Sequence, residues 1–175
     1  MGLDLEFSSR VQAVCDFRGP TDLLQIEASA HPNSLTRRNQ PESNEWQLVG
    51  GSTKEPIGRA KARQANPIAY VSPDDPPILI VHGDQDTAVP YQQSELLFSA
   101  LKSAGVPANF HIIKGGPHGI VGAGKGTLVS GPEVPALVAA FFDYPLQGIT
   151  TAAASWPKVI LSSSMLQPDR PEPAP

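Results

Sequence analysis

The chain has 175 residues, of which 40% are hydrophobic and 17% charged, with a formal net charge of −4. That length and apolar content suit one globular domain, and the weakly acidic balance excludes the basic surface that nucleic-acid binding by phosphate neutralisation requires. A single cysteine, Cys15, excludes an internal disulfide framework and any CxxC metal site.

Nineteen prolines and a 6% aromatic content point to many loops and a modest core. Met1-Gly2-Leu3-Asp4-Leu5-Glu6 has no basic n-region and no apolar h-region. Glu6 stands where an N-myristoylation signal needs Ser or Thr. No window approaches the roughly 18 apolar residues of a membrane span. As written, the sequence is expected to be cytoplasmic and to engage no membrane.

Three apolar runs predict strands. The first spans Arg10 to Phe17 and is stopped by Arg18-Gly19-Pro20; within it Cys15 is expected to act as a small buried hydrophobe. The second, Pro77 to His82, is continuously apolar, as a parallel strand covered on both faces should be. The third, Asn109 to Lys114, ends at Gly115-Gly116. Before the second strand, residues 27–70 are polar and irregular, with one helix expected over Pro56–Gln64. That stretch reads equally as a lid over a site or as a long surface loop. Between the second and third strands, Leu97, Ala100, Leu101 and Ala104 mark one face of a helix over about Tyr91–Ala104, stopped by Gly105 and Pro107. After the third strand, Ser130-Gly131-Pro132-Glu133 resembles a capping box. It precedes a helix whose apolar face is Val134, Leu137, Val138, Phe141 and Phe142. The alternation predicts an α/β fold with parallel strands flanked by helices and joined by a right-handed crossover. Residues 1–147 form the folded part, and 148–175 an Ala/Ser/Pro-rich flexible tail.

In an open parallel sheet, ligands bind beyond the carboxyl ends of the strands. Two of those ends carry reactive side chains here, His82-Gly83-Asp84-Gln85-Asp86 and Gly115-Gly116-Pro117-His118-Gly119. Adjacent strands lie about 4.8 Å apart, so the two loops can bring a carboxylate against an imidazole, the pairing that orients a general base in acyl transfer.

The pattern His82-Gly83-x-x-Asp86-x-x-Val89-Pro90, with His118-Gly119 following, resembles the acid and histidine segments of α/β-hydrolases. It is similar in particular to bacterial esterases of the acetyl-esterase and feruloyl-esterase type, related to prolyl oligopeptidase-like enzymes. Asp16-Phe17-Arg18-Gly19-Pro20-Thr21-Asp22, Asn66-Pro67-Ile68-Ala69-Tyr70-Val71 and Pro76 to His82 extend the resemblance from about Ser9 to Phe142. The resemblance implies a partial α/β-hydrolase fold whose N-terminal strands are missing, with Asp86 as the triad acid, His118 as the general base and Asp84 as a rival acid. It also implies hydrolysis of a small carboxylic ester, with an acylated carbohydrate among the substrates it suggests, without metal or organic cofactor. The family's serine sits in a Gly-x-Ser-x-Gly elbow, and this chain has no such motif; the nearest stretch, Gly50-Gly51-Ser52-Thr53-Lys54, lacks the last glycine. The isolated chain is therefore expected to be an inactive, truncated form, open to complementation by an N-terminal half.

Three rival readings compete with that expectation. Gly119-Ile120-Val121-Gly122-Ala123-Gly124-Lys125-Gly126-Thr127 looks like a nucleotide phosphate loop, but Gly131, Pro132 and Pro135 interrupt the helix it would need. His82, Asp84 and Asp86 offer a His-x-Asp-x-Asp metal pattern, although further histidines are few. A non-catalytic interaction fragment accounts for the missing serine but not for retention of both acid and base. His82 itself, at the end of an apolar strand, is expected to be structural and bonded to its loop.

Overall fold

The computed structural model describes residues 8–118 and 133–146. The 148–175 segment expected to be a flexible tail, the glycine-rich 119–127 stretch and the Ser130–Pro132 part of the expected capping box fall outside the described residues. Three parallel strands form one sheet in the order β1-β2-β3, with β1 at Val14–Phe17, β2 at Ile78–Gly83 and β3 at Ala108–Ile113. The register pairs Val14 with Ile78 and Ile78 with Ala108, and runs to Gly83 opposite Ile113. β1 is shorter than the apolar run that announces it. Its partner strand begins only after Pro76-Pro77, where proline supplies no N–H to the ladder, so the first cross-strand bond is Val14 N–H to the Pro77 carbonyl at 2.9 Å.

Helices cover both faces, which is why β2 can be apolar throughout: Leu79, Ile80 and Val81 are all fully buried. On one face, Ile80, Ala108 and Phe110 pack against Leu97 and Leu101 of α3 (Gln92–Ser103). On the other, Leu79 and Val81 pack against Val134 and Phe141 of α4 (Glu133–Leu146), with Cys15 half-buried beside them. Each such aliphatic side chain contributes about 1.5–3 kcal/mol by leaving water. The stop signals after α3 act through geometry. Gly105 takes φ +77°, its N–H bonds Lys102 O at 3.1 Å, and Val106 N–H reaches back to Leu101 O at 2.9 Å, closing a Schellman motif.

Residues 27–70 hold more structure than expected. The helix over Pro56–Gln64 is present as α2, and two further pieces accompany it: α1 (Asn44–Val49) and a 3-10 turn at Pro67–Tyr70. α1 is capped by Ser43, whose Oγ accepts from Trp46 N–H at 3.4 Å, and it ends on Gly50 at φ +71°. Val49 and Ala62 bury against Leu23 as a small separate core.

Candidate active site

The ends of β2 and β3 are fastened backbone to backbone. A Cβ on Gly83 would stand 2.0 Å from the Gly116 carbonyl oxygen, so only glycine allows the two backbone segments this close. Gln85 N–H donates to that same oxygen at 3.0 Å, and Asp84 N–H donates to Ile113 O at 3.2 Å. Gly115 takes φ +69°, and its N–H donates to Asp84 Oδ1 at 2.7 Å. Asp84, the rival acid, is thereby occupied by the turn, with Lys114 Nζ 3.6 Å from its other oxygen.

That fastening brings Asp86 and His118 together, with His118 Nδ1 2.7 Å from Asp86 Oδ2. The Asp86 side chain is fully buried, while His118 remains 42% exposed. Oδ1 of Asp86 accepts from Ala88 N–H and Val89 N–H, each at 2.8 Å. Burial alone would raise the Asp86 pKa, but hydrogen bonds from His82, Val89, His118 and Ala88 outweigh it and hold the carboxyl below its ordinary value. An ionised carboxylate can only accept, so His118 carries its proton on Nδ1 and leaves Nε2 as the basic nitrogen. Among the described residues that Nε2 has no hydrogen-bond partner.

His82 is buried beneath the same carboxylate. Its Nε2 lies 3.1 Å from Asp86 Oδ2 and 2.9 Å from the Val89 carbonyl, and its Nδ1 lies 2.7 Å from Ser94 Oγ on α3. The expected bond to the loop is therefore present, and a contact to the acid itself is added to it. Ser94, His82 and Asp86 form a serine–histidine–aspartate line, yet Ser94 and His82 are 0% exposed and no ester can reach that hydroxyl. His31, of which the sequence says nothing, comes within 3.4 Å of Gln85 Oε1.

Sequence reading missed Arg38. Its side chain pairs with buried Glu45 at 3.5 Å and donates to the Ala88 carbonyl. Asn39 N–H adds a bond to Glu45 Oε1 at 3.1 Å. The 27–70 stretch is thus tied to the residue whose own N–H holds Asp86. Nothing in the local pattern of Thr36-Arg37-Arg38-Asn39 distinguishes the buried arginine from its neighbour.

Among the described residues no group of three His, Cys, Asp or Glu side chains is placed to hold a metal ion, and the His82, Asp84 and Asp86 trio is divided between the acid and the turn. No helix of the described residues is long and apolar enough to cross a membrane. A cavity of about 490 Å³ lies beside β1 on the α3 face, lined by Val14, Asp16, Tyr70, Ile78 and Leu97 among others; it reaches neither Asp86 nor His118. Asp16 Oδ2 is buried with no hydrogen-bond partner among the described residues, and burial, opposed by the Gly19 amide and by His82, raises the Asp16 pKa.

Comparison with known proteins places this geometry in context. The sequence profile of the BD-FAE family matches residues 4–101, more than half of the chain. A probable carboxylic ester hydrolase of Mycobacterium tuberculosis is 30% identical over 91 residues, which are 51% of this chain and 19% of that protein. Among solved structures, a truncated form of a carbohydrate esterase from gut microbiota matches with 35% identity and a TM-score of 0.56, over 67% of this chain and 39% of that one. A bifunctional GH43-CE protein of Bacteroides eggerthii matches with 34% identity and a TM-score of 0.55, over 67% of this chain and 16% of that one. A carboxylesterase of Lactobacillus plantarum shares the fold at 16% identity, with a TM-score of 0.53, over 85% of this chain and 49% of that one. The chain thus spans about a fifth of the curated relative and about two fifths of the first of these structures.

Proposed function

The chain belongs to the BD-FAE family, and from that premise we propose that it supplies the acid and the general base of a serine-type carboxylic ester hydrolase whose nucleophile it does not contain. The observation that carries the reading is the 2.7 Å contact between buried Asp86 and half-exposed His118. His118 Nε2 takes the proton from a serine hydroxyl as that oxygen attacks the ester carbonyl. Asp86 stabilises the imidazolium that forms, and His118 then returns the proton to the departing alcohol. In the second half-reaction the same nitrogen activates water against the acyl-serine. No step calls on a metal or an organic cofactor.

The missing element is the serine itself. No Gly-x-Ser-x-Gly occurs in the 175 residues, and among the described residues the serine in line with a histidine and an aspartate is the buried Ser94. We propose that turnover requires a second segment bearing the nucleophile elbow, which would extend the sheet beside β1. The substrate is a small ester, with an acylated carbohydrate favoured by the carbohydrate esterase likeness at 35% identity. Residues 27–70 would shape its pocket through the Arg38 tie to the acid loop.

Incubation of 1–175 with p-nitrophenyl acetate and with a serine-directed fluorophosphonate tests the serine claim. The expected result is no turnover and no labelled residue. Turnover that His118→Ala removes, with label on a serine of this chain, would overturn it.

A further inference from the structure

The carboxylate of Asp86 serves two histidines, and only one of them is open to solvent. We infer that His82 is a positioning residue: clamped between Ser94 and the Asp86 loop, it shares Asp86 Oδ2 with His118 and so fixes both the direction and the basicity of the exposed imidazole. This rests on the reading of Asp86 and His118 as acid and base.

The tautomer follows from the partners. His82 Nε2 faces two acceptors, Asp86 Oδ2 at 3.1 Å and Val89 O at 2.9 Å, so it must carry a hydrogen. Nδ1 is then the acceptor, and the Ser94 hydroxyl donates to it at 2.7 Å. Every polar atom of the 0%-exposed imidazole is satisfied, and the ring cannot turn without leaving one of them bare. Its hydrogen bond draws charge from the oxygen on which His118 depends. Other charged groups near the cluster are Asp16 on β1, which feels His82, and Asp84, which is engaged by Gly115 and Lys114. From α3 the contact is the neutral Ser94. Asp86 is thus the carboxylate common to both rings.

Removing the His82 donor leaves more of the Asp86 charge to the His118 imidazolium, which should then persist to higher pH. The experiment is NMR titration of the His118 ring in the full 1–175 chain. His82→Phe should move the His118 titration measurably upward. His82→Gln, which keeps an N–H near the Nε2 position, should largely restore it. Ser94→Ala, which only loosens the clamp, should give a smaller upward movement and guards against a His82→Phe variant that fails to fold. Asp86→Asn is the control and should move the titration downward. If Asp86→Asn leaves His118 unchanged, the acid–base reading itself fails. If Asp86→Asn acts but both His82→Phe and Ser94→Ala leave the titration in place, His82 is only a packed core residue and the inference is overturned.

Discussion

Gly83 and Gly116, 33 residues apart, approach so closely that a methyl group on the first would meet the carbonyl oxygen of the second at 2.0 Å. This contact, more than any side chain, delivers His118 to Asp86, because it fixes the acid-bearing turn against the histidine-bearing turn at the point where β2 and β3 finish pairing. Gly83→Ala should therefore destabilise the chain by about 2–4 kcal/mol and separate the pair. Urea unfolding gives the first quantity, and loss of the Asp86 influence on the His118 ring resonance gives the second. A stability change within about 0.5 kcal/mol would mean that the turns have room the structure does not show.

The pH dependence of stability carries two opposite signatures. The Asp86 carboxyl is held below its ordinary pKa, so the folded chain binds fewer protons there than the unfolded one. Its stabilising contribution is complete above the unfolded value, about 3.9, and is lost as pH falls through the folded value. Asp16 behaves in reverse. Its folded pKa is raised, so its favourable contribution exists at low pH and disappears as pH rises through that value. Asp16→Asn should stabilise the chain at pH 7 and lose that advantage on acidification, whereas Asp86→Asn should destabilise at pH 7 and flatten the acid limb. Thermal unfolding of the two variants from pH 3 to pH 7 separates them.

Arg38 and Glu45 form a buried ion pair, with side chains 8% and 3% exposed. Removing one member of such a pair leaves the other charge stranded, at a cost of about 3–5 kcal/mol, whereas replacing both by apolar residues is often close to neutral. Arg38→Met should therefore be strongly destabilising, and Arg38→Met combined with Glu45→Met should recover most of the loss. Recovery of stability without recovery of the Ala88 contact would also show whether the acid loop needs Arg38 for its shape.

Cys15 should be chemically quiet. Burial and the neighbouring Asp16 charge push its thiol up to about 11. At pH 8 only about one molecule in a thousand would carry a thiolate. Reaction with a disulfide reagent should be slow in the folded chain and fast after unfolding.

The parts of this fold that the sequence revealed were those bounded by punctuation. β2 ends on Gly83, β3 stops two residues before Gly115, α3 stops two residues before Gly105, and each lies within a residue or two of its expected span. α4 buries Val134 and Phe141 and packs Leu137, Val138 and Phe142 on the sheet, the five positions its pattern indicated. The first strand was overextended because an apolar run does not reveal where its partner becomes proline. α1 was missed because six residues with Leu48 exposed give no helical period, although Ser43 and Gly50 do mark its ends. The Asp86 and His118 juxtaposition was legible, since both side chains follow adjacent strands. The Arg38–Glu45 pair and the double use of Asp86 by His82 were not. Both depend on which polar groups are buried together, and that is a property of packing rather than of spacing.

The most direct measurement of the central claim is ester hydrolysis by 1–175 combined with a segment that supplies the Gly-x-Ser-x-Gly elbow, with p-nitrophenyl acetate as substrate. The combined protein should show activity that neither part has alone, reduced by about a thousandfold or more by His118→Ala and by a comparable factor by Asp86→Asn. Activity in the combined protein that survives both substitutions would contradict it.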